Sequence, residues 1–185
     1  MPRLLMIGGN RSTIGSIKAL RTAGFDLAVA EKLPRQYALA HADHPFEISP
    51  SDVAGLRAAI SSLGGVDGII GINEAAMMSA AILQQELGLP GVTPEVIRRT
   101  TSKLAQRQAW AADPDLQVSF RVVASAEALH DAARAIGFPV IIKPDLSHGG
   151  ARGVSLAKSE DQLDDAFNFA ASHCLPGSQI VAESA

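Results

Sequence analysis

Residues 139–154 read PVIIKPDLSHGGARGV, and this stretch decides the fold of the second half of the chain. Residues 140–142 are a short apolar, β-branched run of the kind found inside a sheet, which predicts a buried strand. Lys143 follows at the end of that strand, where the sheet fixes its position. A lysine ammonium group is a compact point charge that suits phosphate. The stretch therefore predicts a strand that leads into a phosphate-binding loop.

The loop after Lys143 combines small residues with hydrogen-bond donors. Glycines let backbone N–H groups approach phosphate oxygens closely, and serine, histidine and arginine side chains add further donors. The candidate phosphate-binding residues of the loop are Ser147, His148, Gly149, Gly150, Arg152 and Gly153. A second interpretation stays open here, because glycine-rich turns often only connect the two strands of a hairpin.

The residues on either side of this loop alternate between strand and helix patterns. The predicted order is strand 118–123, helix 127–136 capped by Ser125, strand 139–143, strand 153–157, a helix opened by a Ser159 and Gln162 capping box, and strand 179–183. This β-α-β-β-α-β order predicts a small α/β lobe with its helices on one face and the glycine loop on the central hairpin.

The first 92 residues alternate strands and helices in another way. The predicted strands are 4–7, 26–30, 45–48 and 66–72, and the predicted helices are 12–23, one capped by Ser49 that runs to Gly64, and 75–87. Parallel neighbours need crossover connections, so this alternation predicts an open, mainly parallel sheet covered by helices.

A glycine turn, Gly8-Gly9-Asn10, follows the first predicted strand. With Gly15 it resembles a dinucleotide fingerprint, in which Glu31 would be the ribose-binding acid, but the glycine spacing does not fit that motif. The favoured interpretation is a turn packed against the first helix, at an edge of the sheet where open α/β sheets bind small molecules.

The same edge of the sheet supplies the candidate substrate residues, which are Gly9, Asn10, Asn73 and Glu74. For Glu74 an equal alternative is that it only favours a helix N-terminus through the helix dipole. His41 and His44 have metal-like spacing, but no third ligand cluster accompanies them. We therefore expect a structural or surface role for both histidines and predict no metal-binding residues.

Composition limits the classes of partner. The chain has 185 residues, 47% of them hydrophobic, and a formal net charge of -3 without a long basic run. These features argue against nucleic-acid and membrane partners. Cys174 is the single cysteine, so no internal disulfide can form, and we expect a cytoplasmic protein in which Cys174 is an apolar filler.

A helical segment joins the two halves. Thr93-Pro94-Glu95 has the residues of a helix start, and the helical pattern is broken near residues 100–102. Lys103 follows the break. A lysine on such a helix is usually solvated, so its pattern alone only suggests a role in binding.

Taken together, Lys103, the run 137–144, the loop 147–154 and the terminal run 180–183 resemble the ATP-grasp superfamily, most closely its branch of carboxylate–amine ligases and biotin-carboxylase relatives. The resemblance covers the whole chain. It implies a preATP-grasp domain at residues 1–92, linker helices at 93–117 and a small lid domain at 118–185.

The resemblance also implies roles for particular residues. Lysines at the positions of Lys103 and Lys143 contact ATP phosphates in this family, and the glycine loop closes over the β- and γ-phosphates. An acid at the position of Glu183 lies in the interdomain hinge beside adenine. The function implied is an ATP-dependent ligase that activates a carboxylate as an acyl phosphate for attack by an amine or similar nucleophile.

One departure from the family pattern concerns magnesium. In the family a large C-terminal domain supplies the Mg²⁺ ligands, and the 185 residues leave no room for it. We therefore expect a truncated lid and only the N-terminal, ATP-binding portion of a ligase, completed by a second chain or working as a homo-oligomer on a small carboxylate substrate. The alternatives are a non-catalytic nucleotide- or metabolite-binding module, an inactive gene fragment, and an oxidoreductase domain that binds a dinucleotide.

Overall fold

The structure is a computed structural model that describes residues 1–33, 37–147 and 150–185. The chain consists of two compact units, Met1–Ile97 and Arg98–Ala185. Both are mixed α/β, as predicted: the first contains a parallel sheet and the second an antiparallel one. The narrower assignment of residues 93–117 as linker helices stays a prediction.

The first unit contains a four-stranded sheet in the order β3-β2-β1-β4, with every neighbouring pair parallel. Its elements are β1 (Arg3–Ile7), α1 (Ile14–Thr22), β2 (Asp26–Ala30), β3 (His44–Phe46), α2 (Val53–Ser62), β4 (Gly68–Gly71) and α3 (Glu74–Leu87). Residues of α2 and α3 cover one face of the sheet, and α1 covers the other together with residues 38 and 39. The sheet is therefore buried on both faces, as the parallel order requires.

Two helix starts in this unit differ from the sequence-based prediction. The helix predicted to begin at Ser49 starts three residues later, because Asp52 is its N-cap and accepts a hydrogen bond from the Gly55 N–H at 3.0 Å. The helix predicted from residue 12 begins with a short 3-10 turn over Arg11–Thr13, which Asn10 caps. In both places several polar residues compete for the cap, and local geometry decides among them.

Two short helices come next in sequence, α4 (Pro94–Thr101) and α5 (Lys103–Trp110). The first unit ends at Ile97, which lies within α4. The break falls at Ser102, inside the predicted interval. Ser102 is the N-cap of α5 and accepts from the Ala105 N–H at 2.9 Å. Lys103 is consequently the first residue of α5.

The second unit continues with β5 (Phe120–Val123), α6 (Ala126–Ile136), β6 (Val140–Pro144), β7 (Ser155–Ala157), α7 (Leu163–His173) and β8 (Ile180–Ser184). This is the predicted β-α-β-β-α-β order. The sheet order is β5-β8-β6-β7, and all neighbours are antiparallel. Ser125 caps α6 as predicted, whereas the Ser159 side chain makes no cap hydrogen bond and a 3-10 turn precedes α7.

Strand periodicity separates the two faces of this second sheet. One face carries Val123, Val140, Ile142, Ala157, Ile180 and Ala182, which form a core with α6 and α7. The opposite face, here called the open face, carries Phe120, Val122, Ile141, Lys143, Leu156, Val181 and Glu183 by the strand registers. The helices therefore cover one face, and the predicted site residues of the strands lie on the other.

Over the described ranges, none of the helices has the length and apolar character needed to traverse a lipid bilayer.

Candidate functional site

Lys143 and Glu183, which are 40 residues apart in sequence, meet on the open face. The β6–β8 register places Ile141 opposite Glu183, and Lys143 lies two residues further along the same face. The Lys143 ammonium donates a hydrogen bond to Glu183 Oε1. Both side chains are largely buried, with 13% and 5% of their areas exposed. The structure thus brings together two of the predicted site residues.

Arg107 of α5 joins this pair. Its guanidinium donates two hydrogen bonds to the Glu183 carboxylate, from Nε to Oε2 at 2.8 Å and from Nη2 to Oε1 at 3.0 Å. The guanidinium also lies over the Trp110 ring, 5.1 Å from its centre. Sequence reasoning missed Arg107, although it lies four residues after Lys103 and so on the same helix face. Together, Lys143, Glu183 and Arg107 are called the charge cluster below.

The charge cluster keeps Glu183 ionised. Burial raises the pKa of this carboxyl group, but the hydrogen bonds from Arg107 and Lys143 outweigh burial and hold the pKa below its usual range. Two cations share one carboxylate, so the cluster carries an excess of positive charge.

Lys103 makes hydrogen bonds through both its backbone and its ammonium group. Its N–H donates to the Asp145 carbonyl at 3.4 Å, and its Nζ donates to the Thr101 carbonyl at 3.4 Å. Asp145 therefore links the start of α5 to the segment that follows β6.

The glycine loop is described only in part, and His148 and Gly149 lie outside the described residues. Gly150 and Gly153 both have positive φ, 69° and 76°. Gly153 also has a packing role, because a Cβ there would lie 2.7 Å from the His173 Cβ. Its buried position makes it a close-packing glycine that bends the loop.

Two polar side chains of the loop are accessible to different degrees. Arg152 is exposed and Ser147 is half-buried. Arg152 lines a cavity of about 340 Å³ with Ser172, His173 and Cys174. β6 and β7 do pair as a hairpin, so the phosphate role of the loop stays a prediction.

Cys174 follows α7 and is half-buried. Burial raises the pKa of its thiol, which favours the neutral form. A neutral thiol is a poor nucleophile, in keeping with its expected role as a filler.

In the first unit, Glu31 is already bound by the backbone. Its Oε2 accepts from the Gly9 N–H at 2.8 Å, and its Oε1 accepts from the N–H groups of Lys32 and Leu33 at 2.6 and 3.2 Å. The side chain is buried. Both oxygens already accept hydrogen bonds from backbone N–H groups, which argues against Glu31 as a ribose-binding acid and against a dinucleotide on Gly9.

The candidate substrate residues of the first unit also have structural contacts. Asn10 Oδ1 accepts from the Ser12 N–H at 2.8 Å, and Asn73 Oδ1 accepts from the Ala76 N–H at 2.9 Å. Each asparagine is therefore a helix N-cap, and Glu74 is the acid in the first turn of α3. A substrate role for Gly9, Asn10, Asn73 and Glu74 stays a prediction.

The histidine of β3 has a structural partner. His44 Nε2 lies 2.8 Å from Asp26 Oδ1, and Arg3 Nε donates to Asp26 Oδ2 at 2.6 Å. Outside residues 34–36 and 148–149, the chain forms no group of three or more His, Cys, Asp or Glu side chains arranged to hold a metal ion.

Comparison with known proteins relates the chain to one protein family and to a curated relative. Residues 102–183 match the family described as the carbamoyl-phosphate synthase L chain, ATP binding domain. The chain is 30% identical over 139 residues to a biotin carboxylase of Halalkalibacterium halodurans, an alignment that covers 69% of this chain and 30% of the relative.

Two solved structures show the same fold. The ADP complex of purK, an N5-carboxyaminoimidazole ribonucleotide synthetase, matches with a TM-score of 0.79 at 16% identity, over 100% of this chain and 47% of its own. An L-amino acid ligase from Bacillus licheniformis matches with a TM-score of 0.79 at 17% identity, over 100% and 46%.

The chain spans about a third of the length of the curated relatives that it matches, and about half of these solved chains. The matched family region includes Lys103 and Lys143 and ends at Glu183. These findings relate the chain to the ATP-grasp superfamily.

Proposed function

We propose that this chain is the ATP-binding portion of a ligase that activates a carboxylate as an acyl phosphate, which an amine or a similar nucleophile then attacks. The relationship to the ATP-grasp superfamily supports the use of ATP.

The observation that carries the proposal is the composition of the charge cluster. Arg107 already binds both oxygens of Glu183, so the ammonium of Lys143 shares a carboxylate that another cation neutralises. A buried excess of positive charge is costly unless an anion compensates it. A phosphate group near Lys143 supplies that anion.

In this proposal, different residues of the second unit contribute in different ways to ATP binding. Lys143 and Lys103 neutralise phosphate charge, and Ser147, Gly150 and Arg152 supply donors from the loop. Glu183 holds the ammonium of Lys143 in place when no phosphate is bound. These groups bind and orient ATP, and the chemistry of acyl transfer requires groups beyond them.

Magnesium is the one family cofactor that the described residues do not fit. Arg107 and Lys143 bind Glu183, and the Asp145 carboxylate accepts hydrogen bonds from Ser102 and Leu104. A hard divalent cation needs several oxygen ligands that are free to coordinate it. The carboxylates of Glu183 and Asp145 are therefore not free to act as magnesium ligands.

Titration calorimetry with ATP tests the proposal. We expect the 185-residue chain to bind ATP, and Lys143→Ala to weaken binding about tenfold or more, because a charge-assisted contact is lost. Lys158→Ala is the matched control, since Lys158 is an exposed lysine beyond β7 in the same unit. Equal losses in both variants, or tighter binding of NAD than of ATP, would contradict the proposal.

A second candidate is a nucleotide-binding module without catalysis, which the engagement of both Glu183 and Asp145 favours. The two candidates differ in phosphate release from ATP in the presence of Mg²⁺ and a panel of amino acids. Binding without release supports the module. Turnover that Lys143→Ala abolishes supports a complete ligase site within these residues.

A further inference from the structure

Asp145 accepts hydrogen bonds from three consecutive residues at the start of α5. Its Oδ1 accepts from the Ser102 hydroxyl at 2.7 Å and from the Leu104 N–H at 2.8 Å. Its backbone carbonyl accepts from the Lys103 N–H at 3.4 Å. Lys103 is thus held on both sides, and through its own backbone, by a single residue.

Asp145 is itself fixed. It lies two residues after Lys143, and its N–H donates to the Gln179 carbonyl at 2.8 Å, immediately before β8. Only 8% of its surface is exposed. A carboxylate at a helix N-terminus is also stabilised by the helix dipole. The residue is therefore a rigid link between the end of β6 and the first turn of α5.

We propose that Asp145 is a positioning residue that holds Lys103 in place for binding ATP phosphate. The inference rests on the proposed function, because it assigns Asp145 an effect on the phosphate-binding role of Lys103. Without the Asp145 carboxylate, the first turn of α5 would lose the two hydrogen bonds that hold the residues on either side of Lys103. Holding it in advance reduces the entropy that binding must remove.

A double-mutant cycle separates this role from simple stabilisation. ATP affinity is measured by calorimetry for the wild type, Asp145→Ala, Lys103→Ala and the double variant. We expect Asp145→Ala to weaken ATP binding about fivefold to tenfold in the wild type and less than twofold when Lys103 is already alanine. Asp131→Ala, at an exposed aspartate of α6, is the matched control and should bind ATP like the wild type.

Rescue by the amide identifies the atom that matters. In Asp145→Asn, the Oδ1 atom still accepts from Ser102 and Leu104, so we expect ATP affinity within about twofold of the wild type. Thermal melting checks that each variant is folded. If Asp145→Ala does not fold, Ser102→Ala removes the hydroxyl end of the same contact and replaces it in the cycle.

The outcomes separate the two claims. Wild-type ATP affinity in Asp145→Ala, the same loss in both Lys103 backgrounds, or an amide no better than alanine would overturn the positioning role alone. A wild-type chain that does not bind ATP would overturn the proposed function, and the positioning role with it.

Discussion

Two glycine-bearing turns follow buried strands in this chain, and they differ in the charges around them. After β1, the Gly9 N–H is bound by the buried carboxylate of Glu31, so the chain supplies its own anion. At the second turn, which follows β6, Lys143 and Arg107 share the carboxylate of Glu183 and leave an excess of positive charge. A glycine turn after a strand therefore indicates a phosphate site only when carboxylates of the same chain do not already occupy its N–H donors and neutralise its cations.

The largest expected effect tests the charge cluster. Glu183→Ala leaves Arg107 and Lys143 buried without their carboxylate, and we expect the free energy of unfolding to fall by about 3–5 kcal/mol. Urea denaturation followed by the fluorescence of Trp110, the single tryptophan, measures this loss. Glu127→Ala, at an exposed acid in the first turn of α6, is the control and should cost no more than about 1 kcal/mol. Equal stability of the two variants would contradict the buried cluster.

The next effect tests the turn of the first unit. Glu31→Ala removes the acceptor of three backbone N–H groups, and we expect a loss of about 3 kcal/mol in unfolding free energy. Glu31→Gln keeps an acceptor oxygen and should lose less. Denaturation followed by circular dichroism gives the stabilities. ATP affinity measured beside them should stay at the wild-type value in Glu31→Gln, and a large loss there would mean that this turn does bind the nucleotide.

The smallest effect concerns the helix-covered side of the second unit. His130 lies 3.1 Å from Glu160 and 3.1 Å from Asp164, and hydrogen bonds to these carboxylates raise its pKa above the ordinary value. Because the folded pKa is the higher one, the stabilisation is fully present below about pH 6.5 and is lost as pH rises through the folded pKa. Arg134, which also binds Glu160, keeps its charge throughout.

Thermal melting across pH 6–9 checks this expectation, with the pH range set about the ordinary histidine pKa. The melting temperature of the wild type should fall more over this range than that of His130→Gln. Parallel curves for the two proteins would show that the His130 contacts contribute nothing.

Much of the fold could be predicted from local patterns. The strand that contains Lys143, the break at Ser102 and the cap at Ser125 each depend on residues close in sequence. The capping box at Ser159 was wrong in detail, because Gln162 accepts from the Lys158 N–H instead. Local sequence patterns locate the turn before a helix, but they do not determine which of its polar residues makes the capping hydrogen bond.

The candidate site was less accessible to sequence reasoning, because its contacts are distant in sequence. Arg107 meets Glu183 across 76 positions, and Leu104 meets Asp145 across 41. The pairing of Glu31 with Gly9 spans 22 positions and decides whether the first turn can accept an anion. No spacing rule gives such pairs, since they depend on which strands become neighbours.

The comparison of the two turns is tested most directly by mapping where ATP acts. Amide NMR spectra of the 19.3 kDa chain, recorded with increasing ATP, report each backbone N–H separately. We expect shifts at Lys103, Lys143 and Glu183 and unchanged signals at Gly8, Gly9 and Asn10. Shifts confined to Gly8–Asn10, with none around Lys143, would contradict the assignment of the phosphate site to the second unit.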